Sequence, residues 1–228
     1  MRVASYNIRK AVGLDWRRDG DRVVSVLEEI NADVVVLQES DKRVGQRAGV
    51  LPLKRLQENL GYELADVSER ALSHGWHGNA ILYRREVIQL DRAIRVELPT
   101  LEPRGAVSAH LSAPSIEVIG VHLGLTRRTR AKQLAALKRH MDAVQCPVLV
   151  AGDFNAWHPE AGIITALGDD YEMVLPGNSF HASRPIAALD RFILKGGVGH
   201  VSSHVHRSAL AARASDHLPI VIDLDVPR

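Results

Sequence analysis

The chain is short of cysteine, of aromatic residues, of any excess of one charge and of long apolar runs. Cys146 is its single cysteine, which excludes an intrachain disulfide framework and a Cys-based zinc site. Nothing beside Cys146 in sequence lowers a thiol pKa, so its expected role is that of a small apolar residue ahead of a buried strand. Aromatics are 4% of the chain, which leaves platforms for stacking single strands scarce. Lys and Arg number 29 against 27 Asp and Glu, a formal charge of +2. That balance excludes a broadly basic nucleic-acid-coating protein, and attraction to an anion must come from local clusters. No run is long and apolar enough to span a bilayer and no signal-type leader is visible, so a soluble cytoplasmic protein is expected. Absent too are a Pro/Gly/Ser-rich linker, a low-complexity tract and a fixed-period repeat. With 228 residues, 46% of them hydrophobic, the expectation is a single domain over 1–228 with a sizeable core.

What is present is a mixed order of elements. Strand signals cover 2–8, 33–39, 62–67, 79–84, 87–91, 105–112, 115–123, 147–152, 189–194, 199–206 and 217–225, and helix signals cover 20–31, 50–60, 128–144 and 158–167. In the first helix Val23, Val24, Leu27 and Ile30 form a core-facing stripe. In the helix at 128–144, Leu134, Leu137, Met141 and Val144 share one side, with Arg130, Lys132, Lys138 and Arg139 elsewhere. The stretch 79–123 holds several strands and no helix, which argues for mixed sheets with helices packed outside.

Short apolar runs end repeatedly in polar groups of related chemistry. Asn7 ends the first; Gln38 and Glu39 end Val34–Leu37; His122 ends Val118–Val121; Asp153 and Asn155 follow Val148–Gly152. Asp216 and His217 stand at the mouth of the last. Such runs read as buried strands that deliver side chains to one rim. A carboxylate such as Glu39 at a strand end is costly to bury unless paired or bound to a cation. With Asn7 and Asp216 it offers hard oxygen ligands of the kind that suit Mg²⁺ or Mn²⁺, ions that keep water and accept phosphate oxygens. Asp153 and Asn155 point the same way from a sharp turn. Asp190 places a further carboxylate at a strand start, and an Asp bonded to one nitrogen of His217 would fix its tautomer and favour its protonated form. Taken singly, each of these residues also reads as a strand-end residue capping a turn, Asn7 most readily.

The pieces Ser5-Tyr6-Asn7, Leu37-Gln38-Glu39, Gly78-Asn79-Ala80-Ile81-Leu82, Val121-His122-Leu123, Gly152-Asp153-Phe154-Asn155, Leu189-Asp190-Arg191 and Ser215-Asp216-His217 run in this order from first strand to last. In them the chain resembles the endonuclease/exonuclease/phosphatase superfamily over essentially its whole length. The resemblance implies a four-layer α/β sandwich, two mixed β-sheets packed face to face with helices outside, and Mg²⁺-dependent hydrolysis of phosphate esters. It implies Glu39 as the main metal-ligating residue, with Asn7 and Asp216 nearby. It implies Asp153 as the group that orients or deprotonates the attacking water and Asn155 as its neighbour on water and phosphate. His217 would be the catalytic imidazole paired with Asp190, and His122 a second phosphate-contacting imidazole. The pattern departs from abasic-site endonucleases: Leu125 stands where they carry Asn, and Arg9 where they carry an acid.

Asn79 reads either as a residue that orients His122 or as a strand-edge Asn. Arg127, Arg128 and Arg130 open a helix directly after His122; they read either as a solvated face or as contacts to the substrate anion, since cations are unfavourable at a helix N-terminus without a reason. The expected substrate is a phosphodiester, with nucleic acid and a phospholipid headgroup as candidates. The alternatives are a phosphomonoesterase of the inositol-phosphatase type and a non-catalytic anion-binding module on the same fold.

Overall fold

Runs of β-branched residues form the centres of two sheets, because branched side chains fit a pleated, buried surface. The computed structural model describes residues 1–68, 70–100, 104–157 and 167–226. Strand β1 (Arg2–Asn7) leads through helix α1 (Gly20–Ile30) to the parallel strand β2 (Val34–Gln38). The Asp19 carboxylate accepts from the Arg22 amide at 2.9 Å and caps α1, and Asn31, left-handed at φ 53°, ends it. Helix α2 (Leu53–Leu60), β3 (Tyr62–Leu64), β4 (Ala80–Arg84), β5 (Gln89–Glu97), β6 (Gly105–Ala113) and β7 (Ser115–His122) follow. Helix α3 (Arg127–Ala143), capped by Thr126, connects β7 to its parallel neighbour β8 (Val148–Asp153). Strands β9 (Tyr171–Val174), β10 (Asp190–Lys195), β11 (Gly199–Val205) and β12 (Ile220–Asp225) complete the order.

The first sheet runs β11-β12-β1-β2-β4-β3 and the second β5-β6-β7-β8-β10-β9, each with a parallel pair near its centre among antiparallel neighbours. Val3, Val36, Ile81, Val107, Val118, Phe192 and Ile222 interlock between the sheets. Val23, Leu27, Ile30 and Leu56 pack α1 and α2 onto the outer face of the first sheet, and Leu134, Leu137 and Met141 pack α3 onto the outer face of the second. The result is the expected four-layer sandwich. Among the described residues no helix is long and apolar enough to cross a membrane.

Several boundaries differ from the sequence reading. Helix α2 starts at Leu53 rather than residue 50, because Pro52 disfavours a helical conformation in the residue before it. Strand β12 starts at Ile220 rather than 217, because Pro219 has no N–H for the ladder. β5 extends to Glu97 as an edge strand whose exposed charges interrupt the apolar alternation, and the four-residue strand β9 was not expected. The helix expected over 158–167 lies, apart from Leu167, outside the described residues. Arg130 is buried: it stands four residues before Leu134 and shares the apolar stripe instead of lying off it.

Candidate active site

The strand registers bring the polar ends together. His122 sits beside Asp153 across β7 and β8, Asp190 sits beside Asp153 across β10 and β8, and Asn7 sits beside Gln38 across β1 and β2. The turn after β8 needs Gly152, whose φ is 156° and where a Cβ would lie 1.9 Å from the Val121 carbonyl oxygen. Asn155 turns left-handed at φ 51°, and Glu39 does so at φ 54°, an uncommon conformation for Glu that aims its carboxylate off the end of β2.

One oxygen is the hub. Oδ2 of Asp153, a fully buried carboxylate, accepts from Asn7 Nδ2 at 3.1 Å and lies 3.4 Å from His122 Nε2 and 3.7 Å from His217 Nε2. Its other oxygen accepts from the Asn155 amide at 2.9 Å, and Asn155 Nδ2 donates to the Leu123 carbonyl at 2.9 Å. Behind His217, Nδ1 meets Asp190 Oδ2 at 2.8 Å, and Ser179 Oγ donates to the same oxygen at 2.5 Å. The two imidazoles are held in opposite charge states. Burial opposes a charge on His217, but Asp190 and Asp153 outweigh it and raise its pKa to about 9. Burial lowers His122 to about 4, with Arg104 and His217 acting in the same direction against Asp153.

Residues 215–219 reach this hub by crossing the end of β1. Ser215 Oγ donates to the Asn7 carbonyl at 2.7 Å, the Leu218 amide to Ser179 O at 2.8 Å, and the Ala182 amide to Asp216 O at 2.7 Å. The Phe180 ring lies against His217 with centroids 4.9 Å apart, and the exposed Trp157 meets Phe180 edge-on at 5.7 Å.

Glu39 and Asp216 stand at the rim. Lys10 is ion-paired to Glu39 and feels the charge of Asp216, and Arg9 Nε is 3.5 Å from Asp216 Oδ2. Burial, followed by the nearby Arg43, lowers Lys10 to about 8. Each carboxylate thus faces a cationic side chain, and oxygen donors that hold cations at the rim fit a hard divalent cation. Asp153, Asp190 and His217 also bring ligand-type atoms within 4.8 Å of one another, but Nδ1 of His217 is already bonded to Asp190, so this group is a hydrogen-bonded chain.

Next to Glu39 lies a cleft of about 280 Å³ lined by Lys10, Lys42, Arg43, Arg47, His77, Arg104 and His122, with Asp41. Its basic wall is the loop after β2, which carries Lys42, Arg43 and Arg47. That loop is anchored: Asp41 accepts from the His74 amide at 2.8 Å and from Ser73 Oγ at 2.5 Å, the Leu51 amide donates to His74 Nε2 at 3.0 Å, and Arg70 donates to Gly45 O at 2.7 Å. Arg127 and Arg128 are exposed at the start of α3 and do not line the cleft. Arg130 donates to the carbonyls of Gly124 at 3.3 Å and Leu125 at 2.7 Å, which shapes the turn after His122. Asn79 is buried and its amide donates to Gly105 O at 2.9 Å, so it ties β4 to β6 rather than bonding His122. Ser179 and Phe180 carry no signal in sequence; Lys10 follows Asn7 closely, and Lys42, Arg43 and Arg47 form a basic run after Glu39.

Two facing mixed sheets with acids and imidazoles gathered at one rim match the α/β sandwich of the endonuclease/exonuclease/phosphatase fold. The model of the endonuclease/exonuclease/phosphatase family matches residues 4–217, and the chain belongs to that family, whose members are hydrolases acting on phosphoester bonds. It is 29% identical over 232 residues to "Uncharacterized protein YbhP" of Escherichia coli, covering 91% of this chain and 86% of that protein. Among solved structures, Danio rerio TDP2 complexed with a single-strand DNA product superposes with a TM-score of 0.76 at 18% identity over 99% of both chains. A Bacteroides thetaiotaomicron mannosyl-6-phosphatase superposes with a TM-score of 0.74 at 18% identity, again over 99% of both. At that identity these two likenesses establish the fold alone.

Proposed function

We propose that the protein hydrolyses a phosphodiester with the help of a divalent cation, Mg²⁺ or Mn²⁺, held by Glu39, Asn7 and Asp216. The observation that carries this reading is the convergence of Asn7, His122 and His217 on one oxygen of Asp153, backed by Asp190 and Ser179. The bound cation supplies charge neutralisation for the phosphoryl oxygens. Asp153, held in place at both oxygens, orients the attacking water and takes its proton. His217, kept protonated by Asp190, donates to a phosphoryl oxygen as negative charge grows there. His122, neutral and beside Arg104, adds a second imidazole contact to phosphate. Asn155 is held to the Leu123 carbonyl and fixes the turn that presents Asp153.

Recognition is through phosphate. The cleft beside Glu39 is rich in Lys and Arg, which hold anions without reading a base. Leu125, 64% exposed, stands where an abasic-site endonuclease carries Asn, so no preference for abasic over intact duplex is expected. The neighbours include both a protein complexed with a DNA product and a sugar phosphatase, so the ester type is the point to test. The experiment compares bis-p-nitrophenyl phosphate with p-nitrophenyl phosphate, then plasmid DNA, single-stranded DNA, RNA, sphingomyelin, cardiolipin and inositol phosphates, with Mg²⁺, Mn²⁺ or EDTA. Metal-dependent turnover of the diester above the monoester supports the reading. Turnover of the monoester alone replaces it with a phosphomonoesterase, and no turnover of any substrate leaves an anion-binding module.

A further inference from the structure

A second cluster of metal-type side chains lies away from the rim, on the face of the second sheet covered by α3. His110 on β6 and Glu117 on β7 are directly paired across the ladder, and Cys146 lies just before β8. His110 Nδ1 is 3.2 Å from Glu117 Oε2 and 3.7 Å from Cys146 Sγ, and the three ligand atoms lie within 4.8 Å of one another. Glu117 is 1% exposed. Its other oxygen accepts from Ser108 Oγ at 2.5 Å, and His140 Nε2 on α3 stands 3.3 Å from that hydroxyl. Glu117 and His122 are the near and far ends of β7, so the cluster is roughly 16 Å along the strand from the rim at about 3.3 Å per residue.

We propose that Cys146, His110 and Glu117 form a second metal site, for Zn²⁺, with water in the fourth position. Three observations support it. Tetrahedral zinc with ordinary Zn–S, Zn–N and Zn–O bonds sets S···N and N···O separations of about 3.6 and about 3.3 Å, close to those present. Cys146 Sγ and Glu117 Oε2 both crowd the same imidazole nitrogen, which offers either one hydrogen or one lone pair and so cannot satisfy both; a cation between them satisfies all three. Finally, a buried carboxylate needs a compensating charge. Among the described residues Arg92 is the guanidinium paired to Glu117, loosely placed at 3.9 Å and mostly exposed. A single thiolate therefore suffices when His and Glu complete the set, which reverses the exclusion drawn from the cysteine count. Zinc is bound by the thiolate, so binding displaces the Cys146 thiol proton to solvent as the S–Zn bond forms. Cys146 and His110 are only partly buried, which leaves an approach for the ion.

The test uses the full chain with Co²⁺ as a spectroscopic substitute. Cys146 is the single cysteine of the chain and lies away from the rim, so a thiolate-to-cobalt charge-transfer band reports this site alone, whatever the outcome for hydrolysis. The expected result is that band together with tetrahedral visible absorption in the wild type, both lost in Cys146→Ser and weakened in His110→Ala. Zinc at a hundredfold over its Kd should raise the wild-type melting temperature by roughly 5–10 °C and leave Cys146→Ser unmoved. Diester hydrolysis by Cys146→Ser should match the wild type. A saturating cobalt titration of the wild type without a thiolate band overturns the proposal, even if the variants fail to fold, and so does equal zinc stabilisation of Cys146→Ser.

Discussion

Strand β7 carries a buried acid–imidazole cluster near each end, and the two are built differently. At the rim the groups are strung out: Asp190 faces one nitrogen of His217, Asp153 faces the other, and His122 and Asn7 approach the same Asp153 oxygen. The two nitrogens of His217 thus face different carboxylates, an arrangement that fixes its tautomer and charge. At the opposite end Glu117 and Cys146 crowd a single nitrogen of His110. The same residue types, arranged as a chain or as a converging triad, are suited to different work. A chain positions water and stabilises developing charge; a triad encloses an ion.

The sharpest way to separate the two ends is to remove the hub. Asp153→Asn keeps the size of the side chain but removes its charge and one of its two accepting oxygens, and turnover should fall on the order of a thousandfold while circular dichroism stays unchanged. A loss below about tenfold would remove Asp153 from the chemistry. Next in size is the histidine chain. His217→Ala should lose on the order of a hundredfold or more in kcat, as expected for removal of a preorganised charge stabiliser. Asp190→Asn should lose a comparable share through His217, with little change in KM. If Asp190→Asn were silent while His217→Ala was not, the pair would not act as a unit.

The legibility of the two ends also differs. Asn7, Glu39, His122, Asp153, Asn155, Asp190, Asp216 and His217 were legible because each sits at the end of an apolar strand, where a polar residue contradicts the local pattern. Their gathering at one rim follows from strand registers that the alternation already constrains. Ser179 and Phe180 were not legible: they lie in an irregular segment with no period, and the contacts of Ser179 with Asp190 and Leu218 and of Phe180 with His217 arise from a loop crossing. The opposite-end cluster was hidden for another reason. His110 and Glu117 occupy strand interiors and pair only through the β6–β7 register, and Cys146 arrives from outside the strands. Arg130 could have been placed from its spacing to Leu134, Leu137 and Met141; its charge obscured the period.

A smaller effect is expected from the basic loop. Arg43→Ala with Arg47→Ala should raise KM about tenfold, corresponding to about 1.4 kcal/mol, leave kcat near the wild-type value, and flatten the dependence of activity on salt for a polyanionic substrate. The corresponding double variant at Arg127 and Arg128, outside the cleft, should change KM less; the reverse ranking would move the phosphate contacts to α3. The smallest effect concerns the loop's anchor. Burial lowers the pKa of His74 against Asp41 and the Leu51 peptide, so His74 is neutral when folded. Its contribution to stability is complete above the unfolded value near 6.5 and is lost as pH falls through the lowered folded value. Urea unfolding should show a steeper loss of stability on acidification in the wild type than in His74→Gln; parallel curves would contradict this.

The central claim is that Glu39 holds a divalent cation on which phosphodiester hydrolysis depends. Its most direct test is hydrolysis of bis-p-nitrophenyl phosphate by chelator-treated wild type and Glu39→Gln across a Mg²⁺ titration. The account predicts no turnover of the wild type without metal, restoration by Mg²⁺, and for Glu39→Gln a strongly reduced maximum reached only at higher Mg²⁺. Full turnover of the wild type in excess EDTA, or superimposable Mg²⁺ curves for the two proteins, would contradict it.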